Sequence, residues 1–302
     1  MSEIIFHQYA MSPFSEKVRK VLAFKTVRYH EVDQPAWMPK PELTPLTGGY
    51  RRIPVMQIGA DVYCDSALIV RKIEELYPEP SVYPDDSRTA ADAIAAWADG
   101  VFFRTLVPLV FTALAEHLPK ELFADRQKMS PGFSREILTA LRPNSIGNLR
   151  ALCDRMAADL EGRPWILGAG FSVADAAVYH CLWFARNAPE AAVEIKRHSL
   201  LEGWMNRIDA MGKGSAEPMS GVDALATARD NEPITSALGE PDPCGLAIGD
   251  RTAINQDDLP SDIFEGTLLS SGPDEIVLSR TDEKLGNLAL HFPRAGFTVR
   301  KV

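Results

Sequence analysis

The sequence predicts an α/β domain, an all-α helical domain and a small all-β, barrel-like extension of the SH3-like kind, in that order. Three observations indicate this. Short apolar strands alternate with helical segments before residue 77, Ala- and Leu-rich stretches with helical spacing follow, and strand-like alternation takes over after residue 243. At 302 residues, the chain is long enough for two or more domains.

The first part, residues 1–80, alternates predicted strands and helices. We expect strands over residues 4–7, 27–32, 53–58 and 61–64, and helices over residues 13–24 and 66–76. A Pro-rich stretch separates the second strand from the third. The segment 77–86 is punctuated by prolines that cannot continue a helix, so we expect the first domain to end there.

The second part, residues 86–211, consists of stretches whose apolar residues recur at helical spacing. We expect helices over residues 87–117, 134–160, 172–186 and 200–211, with a kink at Pro108. Ser172 and Asp175 have the spacing of a capping box, in which each side chain accepts the backbone N–H of the other. We interpret this pair as a structural cap.

The last part changes composition twice. Residues 212–243 are rich in Gly, Pro, Ser and acidic residues, which predicts a linker with one short helical piece near residues 222–229. Residues 244–302 predict a small β-rich domain, because short strand-like runs alternate with turns that carry Gly, Asp and Pro.

Charge and cysteine content limit the partners. Of the formal net charge of −9, residues 230–302 contribute −7, from 13 acidic and 6 basic side chains. Without a basic stripe we expect no nucleic-acid partner, because phosphates require clustered Lys and Arg. The cysteines, at positions 64, 153, 181 and 244, lack metal or disulfide spacing. They predict reduced thiols, no metal and a cytoplasmic location.

Two further features bear on location. The N-terminus lacks a basic segment followed by an apolar core, so we expect no signal peptide. The most apolar stretch, residues 101–118, is interrupted by Arg104, Pro108 and Glu116, which makes it a poor membrane span and favours a buried helix. We therefore expect no membrane partner.

Two short segments have the composition of a peptide clamp. In Arg52-Ile53-Pro54-Val55, an apolar strand is entered through an X-Pro bond, and its backbone can pair with an extended ligand. Further on, Asp65 and Ser66 stand where a strand ends and a helix begins. Free N–H groups, a hydroxyl and a carboxylate can hold a small zwitterion there. Arg52 could pair with a ligand carboxylate or could equally be a solvated surface charge.

A second helix terminus is directed at the same ligand. Ser12-Pro13-Phe14-Ser15 opens the first helix with a hydroxyl at its N-cap. The Ser12 hydroxyl can donate to a ligand bound at this helix terminus, although the same position suits a purely capping serine. Tyr9 and Ser15 are alternative donors, whereas we interpret Cys64 as a small buried apolar residue.

Together, the clamp, the Ser-Pro helix start and the helical second part resemble the glutathione transferase superfamily. The resemblance covers residues 1–211 and leaves out the β-rich extension. It implies a thioredoxin-like first domain, in which Pro54 matches the family's cis-proline and Asp65-Ser66 matches its acidic residue and serine. It also implies glutathione as co-substrate and suggests a homodimer.

By the same resemblance, a set of residues near the first strand and the clamp binds glutathione: Phe14, Arg52, Ile53, Pro54, Asp65 and Ser66. Ile53 would bond to the cysteinyl backbone, and Asp65 with Ser66 would hold the γ-glutamyl end. Ser12 occupies the position of the catalytic Ser or Cys.

The serine at position 12 limits the reaction type. Family members that reduce mixed disulfides use a cysteine there, and a serine hydroxyl cannot attack sulfur at neutral pH. We therefore expect a serine-type glutathione transferase of unassigned class, active in detoxification, that activates the glutathione thiol for attack on a small electrophile. Isomerisation, dehalogenation and peroxide reduction stay open. The alternative is a non-catalytic scaffold whose β-extension binds a protein partner.

Overall fold

The structure is a computed structural model that describes residues 3–130, 132–235, 242 and 244–302. It divides into two compact units. The first contains the residues up to Ser15, Arg28–Ile73 and the residues from Ser215 onward, and the second contains Glu16–Val27 and Glu74–Gly214. The first unit thus combines the strands of the predicted α/β part with the β-rich extension.

One ten-stranded sheet forms the first unit. Its strands are β1 Ile5–Gln8, β2 Arg28–Asp33, β3 Val55–Ile58, β4 Asp61–Cys64, β5 Ser215–Pro218, β6 Arg251–Gln256, β7 Leu259–Ser271, β8 Glu275–Asp282, β9 Gly286–Pro293 and β10 Phe297–Lys301. Their order across the sheet is β10-β6-β7-β8-β9-β4-β3-β1-β2-β5. The predicted strands of the first part and the β-rich extension are both confirmed.

The helices alternate with these strands at first and then run without interruption. They are α1 Pro13–Phe24, α2 Thr44–Thr47, α3 Ser66–Leu76, α4 Arg88–Trp97, α5 Phe103–Ala113, α6 Lys120–Met129, α7 Arg135–Asp159, α8 Val173–Ala185, α9 Pro189–Lys196, α10 Ser199–Asp209 and α11 Gly221–Arg229. A π-helical turn, Ala98–Phe102, joins α4 to α5. All four long helices predicted for the second part are confirmed, with the first divided into α4, the π turn and α5.

The segment 212–243, predicted as a linker, contributes β5 and α11 to the first unit. Strand β5 pairs in parallel with β2, and the predicted helical piece corresponds to α11. The amide of Gln57 donates to the carbonyl of Ala224 at 2.9 Å, which fixes α11 against β3. Residues 236–241 and 243 of the predicted linker lie outside the described residues.

The extension meets the rest of the first unit at β4. Strands β6 to β9 form a meander, β10 pairs with β6, and β9 pairs in parallel with β4. One hydrophobic core therefore contains residues from both sides of the junction: Leu43, Leu46, Tyr50, Val55, Val62, Phe264, Leu278, Leu290 and Phe292. The division into domains 1–80, 86–211 and 244–302 stays a prediction.

A buried ionic cluster crosses the same junction. Nε2 of His291 in β9 lies 3.0 Å from Oδ1 of Asp61 in β4, and its Nδ1 lies 3.1 Å from Oε2 of Glu275. The His291 ring also stacks on Tyr63, with centroids 4.1 Å apart. Burial opposes protonation, but hydrogen bonds to Asp61 and Glu275 outweigh it and raise the pKa of His291.

The second unit is all-helical, and Asp175 is central to its core. Its carboxylate accepts N–H groups from Ser172 at 3.0 Å, Ile166 at 2.9 Å and the Trp204 indole at 2.9 Å. Ser172 Oγ accepts the N–H of Asp175 in return, which confirms the predicted capping box. Because the Trp204 indole lies in α10 and Asp175 in α8, the cap anchors α8 to α10.

The second unit also buries charges at α1. Lys17 Nζ lies 2.5 Å from Oδ2 of Asp99 in the π-helical turn, and Nε2 of the buried His180 donates to Oδ1 of Asp99 at 2.9 Å. Burial opposes ionisation of Asp99, but the Lys17 charge and the His180 hydrogen bond lower its pKa. The cluster ties α1 to the π turn and α8.

One continuous helical run, residues 88–113, is long and apolar enough to cross a membrane by length and composition alone. Core helices of soluble proteins pass the same test. Within this run, Asp99 forms the ion pair with buried Lys17 described above.

Candidate functional site

The segments that the sequence predicts as a clamp converge at one end of the sheet. In the register, Val55 of β3 pairs with His7 of β1 and with Cys64 of β4. Because β3 runs antiparallel to both neighbours, its beginning lies beside the ends of β1 and β4. Residues 9–12, 53–54 and 65–66 therefore extend from the same end of the sheet.

Ser12 begins α1 and is buried, with 1% of its surface exposed. Its Oγ accepts the N–H of Ser15 at 3.1 Å, and its own N–H donates to the carbonyl of Tyr9 at 2.9 Å. Ser12 is thus an N-cap, as expected. Capping uses its oxygen only as an acceptor, so the hydroxyl proton is left for a ligand.

Ser15, the alternative donor, is fully buried. Within the part of the chain that the structure describes, its Oγ has no hydrogen-bond partner. A buried hydroxyl without a partner is unusual, since most buried polar atoms are satisfied. Phe14, between the two serines, is half-buried.

The clamp strand starts at a cis peptide bond between Ile53 and Pro54, as the resemblance implied. Facing it, Asp65 ends β4 with φ of 80°, a left-handed conformation that is disfavoured for side chains other than glycine and is enriched at ligand sites. Its Oδ1 accepts the N–H of Ala67 at 2.8 Å, and Ser66 begins α3 in a buried position. Asp65 thereby caps α3 at the end of the sheet from which the clamp segments extend.

Arg52 has a partner that sequence reasoning missed. Its Nη2 lies 3.0 Å from Oδ1 of Asp258, in the turn between β6 and β7 of the extension. No local pattern marks Asp258, because the contact depends on how the extension folds back towards the clamp. Whether Arg52 also meets a ligand carboxylate stays a prediction.

The neighbouring titratable groups are buried or half-buried. Cys64 is fully buried, and desolvation raises the pKa of its thiol well above the usual range, which confirms the interpretation as an apolar residue. His7 Nε2 donates to Gln57 at 3.0 Å, and burial lowers the pKa of His7 to about 4. Tyr9 is half-buried and packs against the hydrophobic core.

Across residues 3–130, 132–235, 242 and 244–302, no group of three or more His, Cys, Asp or Glu side chains is arranged to hold a metal ion.

Two known domain families match parts of this chain. The glutathione S-transferase N-terminal domain matches residues 6–81, which include most of β1 and both clamp segments. The glutathione S-transferase C-terminal domain matches residues 139–207. A probable glutathione S-transferase from Solanum tuberosum is 29% identical over 86 residues, which span 28% of this chain and 40% of that protein.

Solved structures extend the likeness further. A GST-like protein from Pseudomonas syringae is 36% identical, with a TM-score of 0.84 and 100% coverage of both chains, so the likeness includes the extension. A glutathione S-transferase from Rhodospirillum rubrum is 21% identical, with a TM-score of 0.55, and covers 68% of this chain and 88% of its own. This second match shows the fold alone.

The thioredoxin-like sheet, followed by a helical part, has the two domains of a glutathione S-transferase. The full-length likeness places it more closely: the chain belongs to the glutathione transferase superfamily, whose members use glutathione as co-substrate.

Proposed function

We propose that this chain is a serine-type glutathione transferase that activates the glutathione thiol through the Ser12 hydroxyl. The observation that carries the proposal is the buried Ser12 hydroxyl at the N-terminus of α1, which caps the helix as an acceptor and keeps its proton. A free thiol has a pKa of about 8.5 and is mostly protonated at neutral pH. A hydroxyl donor and the positive end of a helix both stabilise the thiolate.

Other clamp residues would position the peptide. The backbone of Ile53 would pair with the cysteinyl residue, and Pro54 would shape the strand entry. Asp65 and Ser66 would bind the ammonium and carboxylate of the γ-glutamyl end. Arg52 would face the glycyl carboxylate, with Phe14 beside the tripeptide. The bound thiolate would then attack a small electrophile.

The wider role follows from this chemistry. We propose that the site conjugates glutathione to small electrophiles in detoxification. We further propose that the protein is cytoplasmic and acts as a homodimer. Isomerisation, dehalogenation and peroxide reduction would use the same thiolate.

The test is the ultraviolet absorbance of enzyme-bound glutathione thiolate across a pH series. We expect a thiolate band at neutral pH in the wild type that Ser12→Ala abolishes. Ser220→Ala is the matched control, because Ser220 caps α11 through the N–H of Asp223 at 3.1 Å. If the band survives Ser12→Ala and disappears in Ser15→Ala, the buried Ser15 hydroxyl is the donor instead.

Retention of glutathione separates the enzyme from a scaffold. Wild-type protein should retain glutathione, and Asp65→Ala should lose it. If neither protein retains it, the enzyme proposal fails and the scaffold alternative gains support.

A further inference from the structure

The extension covers the chain segment that leads into the clamp strand. Leu43, Leu46 and Tyr50 are buried in one core with residues of β7, β8 and β9. The Tyr50 ring lies 5.7 Å from Phe264 and 6.2 Å from Phe292, measured between centroids. Segment 43–50 is therefore held by the extension.

Polar contacts reinforce this cover. Nη1 of Arg280 in β8 donates to the carbonyl of Pro45 at 2.8 Å. The Arg280 side chain also passes so close to Gly48, where φ is 63°, that an added Cβ would come within 3.1 Å of it. The segment before the clamp is thus fixed on two sides by the extension.

The turn between β6 and β7 of the extension also contacts the clamp directly, through Asp258 and Arg52. Asp258 pairs with Arg52 at 3.0 Å, although 64% of the Asp258 side chain and 30% of the Arg52 side chain are exposed. The turn is held in place by β10, since Thr298 donates to Oδ1 of Asp257 at 2.7 Å and Asp257 N–H donates to Gly296 at 3.1 Å. Asp258 is therefore presented to Arg52 from a fixed position.

Because Asp258 pairs with Arg52, the position of Arg52 determines which part of a bound ligand the Asp258 carboxylate affects. In the binding mode proposed above, Asp65 would hold the γ-glutamyl end and Ile53 the cysteinyl residue, so the glycyl end of an extended tripeptide would continue past Ile53 towards Arg52. A free glycyl carboxylate must then share Arg52 with Asp258 or displace it, and the two carboxylates repel each other. A neutral C-terminal end meets no such competition.

We propose that Asp258 is a specificity-determining residue, which makes the site accept γ-glutamylcysteinyl thiols with an uncharged C-terminal end about as well as free glutathione. The inference rests on the proposed glutathione site and assigns a ligand-selecting role to the extension. Asp258 acts through Arg52 and takes no part in the chemistry of the thiol.

The experiment compares two ligands by titration calorimetry: glutathione and glutathione with an amidated glycine. In the wild type, we expect the two dissociation constants to agree within about two-fold. In Asp258→Asn, glutathione should bind about two- to five-fold more tightly, as befits a partly exposed ion pair, while the amide is unchanged. Arg52→Gln in the Asp258→Asn background should remove the new preference.

Asp274→Asn is the matched control. Asp274 is another exposed acidic residue of the extension with an arginine partner, Arg71, at 3.6 Å. It should leave the ratio of the two dissociation constants as in the wild type.

The outcomes separate the two proposals. If both ligands bind the wild type and Asp258→Asn leaves their ratio unchanged, or shifts both equally, the role of Asp258 is overturned while the glutathione site stands. If neither ligand binds the wild type, the proposed function fails and this inference fails with it.

Discussion

The imidazole of His291 lies 3.0 Å from the carboxylate of Asp61, and both side chains are almost completely buried where β9 meets β4. A second carboxylate, Glu275, contacts the other ring nitrogen at 3.1 Å. The hydroxyl of Thr235 and the ring of Tyr63 complete the surroundings of the imidazole, and Lys72 lies over that tyrosine ring. The junction between the extension and β4 therefore contains a buried ionic contact.

This cluster predicts a stability maximum in mildly acidic solution. The pKa of His291 is raised, so its contribution is complete below about pH 6.5 and is lost as pH rises through the folded-state pKa. The pKa values of Asp61 and Glu275 are lowered despite burial, because both bond to His291. Their contributions are complete above about pH 4.3 and are lost as pH falls through the folded-state pKa values.

Urea unfolding of wild type and His291→Gln, at pH values below, within and above the expected stability maximum, tests the role of His291. We expect the variant to be destabilised by about 3–5 kcal/mol near pH 6, because Asp61 is left buried without a cation. The variant should also lose the decline in stability on the alkaline side. His117→Gln, at an exposed position, is the control. Equal alkaline slopes in His291→Gln and wild type would contradict the assignment.

The Lys17–Asp99 pair predicts strong coupling between α1 and the π-helical turn. Asp99→Asn should lower the free energy of unfolding by about 3–5 kcal/mol, because it removes the carboxylate that pairs with the buried Lys17 ammonium. Lys17→Met combined with Asp99→Asn should recover part of that loss, which a double-mutant cycle measures.

The exposed pair of Arg135 and Glu116, 3.0 Å apart, supplies the control for this cycle. Glu116→Gln should change stability by no more than about 1 kcal/mol. If Asp99→Asn proves equally mild, Lys17 is not a buried charge that depends on Asp99.

The packing of Phe292 predicts that the extension stabilises residues 43–50, the segment before the clamp strand. Its ring is fully buried and contacts Tyr50, Phe264 and Phe297. Phe292→Ala should cost about 3–5 kcal/mol through the cavity it leaves. It should also speed hydrogen exchange at the amides of residues 43–50, because that segment loses its cover.

Ile263→Ala, at a half-exposed position of β7, is the matched truncation. It should cost far less and leave exchange in residues 43–50 unaltered. Uniform acceleration of exchange over the whole first unit by Phe292→Ala would show global destabilisation instead of a local link.

Local features of the sequence predicted most of the fold and the candidate site. Ser12, Pro54 and Asp65 stand at helix starts and strand ends, where the required residue types are visible within a few positions. The long helices, such as α7 and α8, were predictable because their apolar spacing repeats over several turns.

The features that were missed depend on distant or weak signals. Helices α6 and α9 contain only 10 and 8 residues, too few for a clear repeat, and β5 offers no apolar alternation in Ser215–Pro218. The pairing of β4 with β9 joins parallel strands without a turn between them, so no local motif marks it. The contact of Asp258 with Arg52 depends on that pairing and could not be predicted from either segment.

The pairing of β4 with β9 also sets an order of assembly during synthesis. The first unit is interrupted by most of the second unit, Glu74–Gly214, so its early strands leave the ribosome long before Gly286–Pro293 exist. The helical unit is built mostly from neighbouring segments and has all its residues much earlier. Until β9 has been synthesised, β4 is an edge strand with one side unpaired. The sheet that carries the clamp is therefore completed only by a strand made more than two hundred residues later.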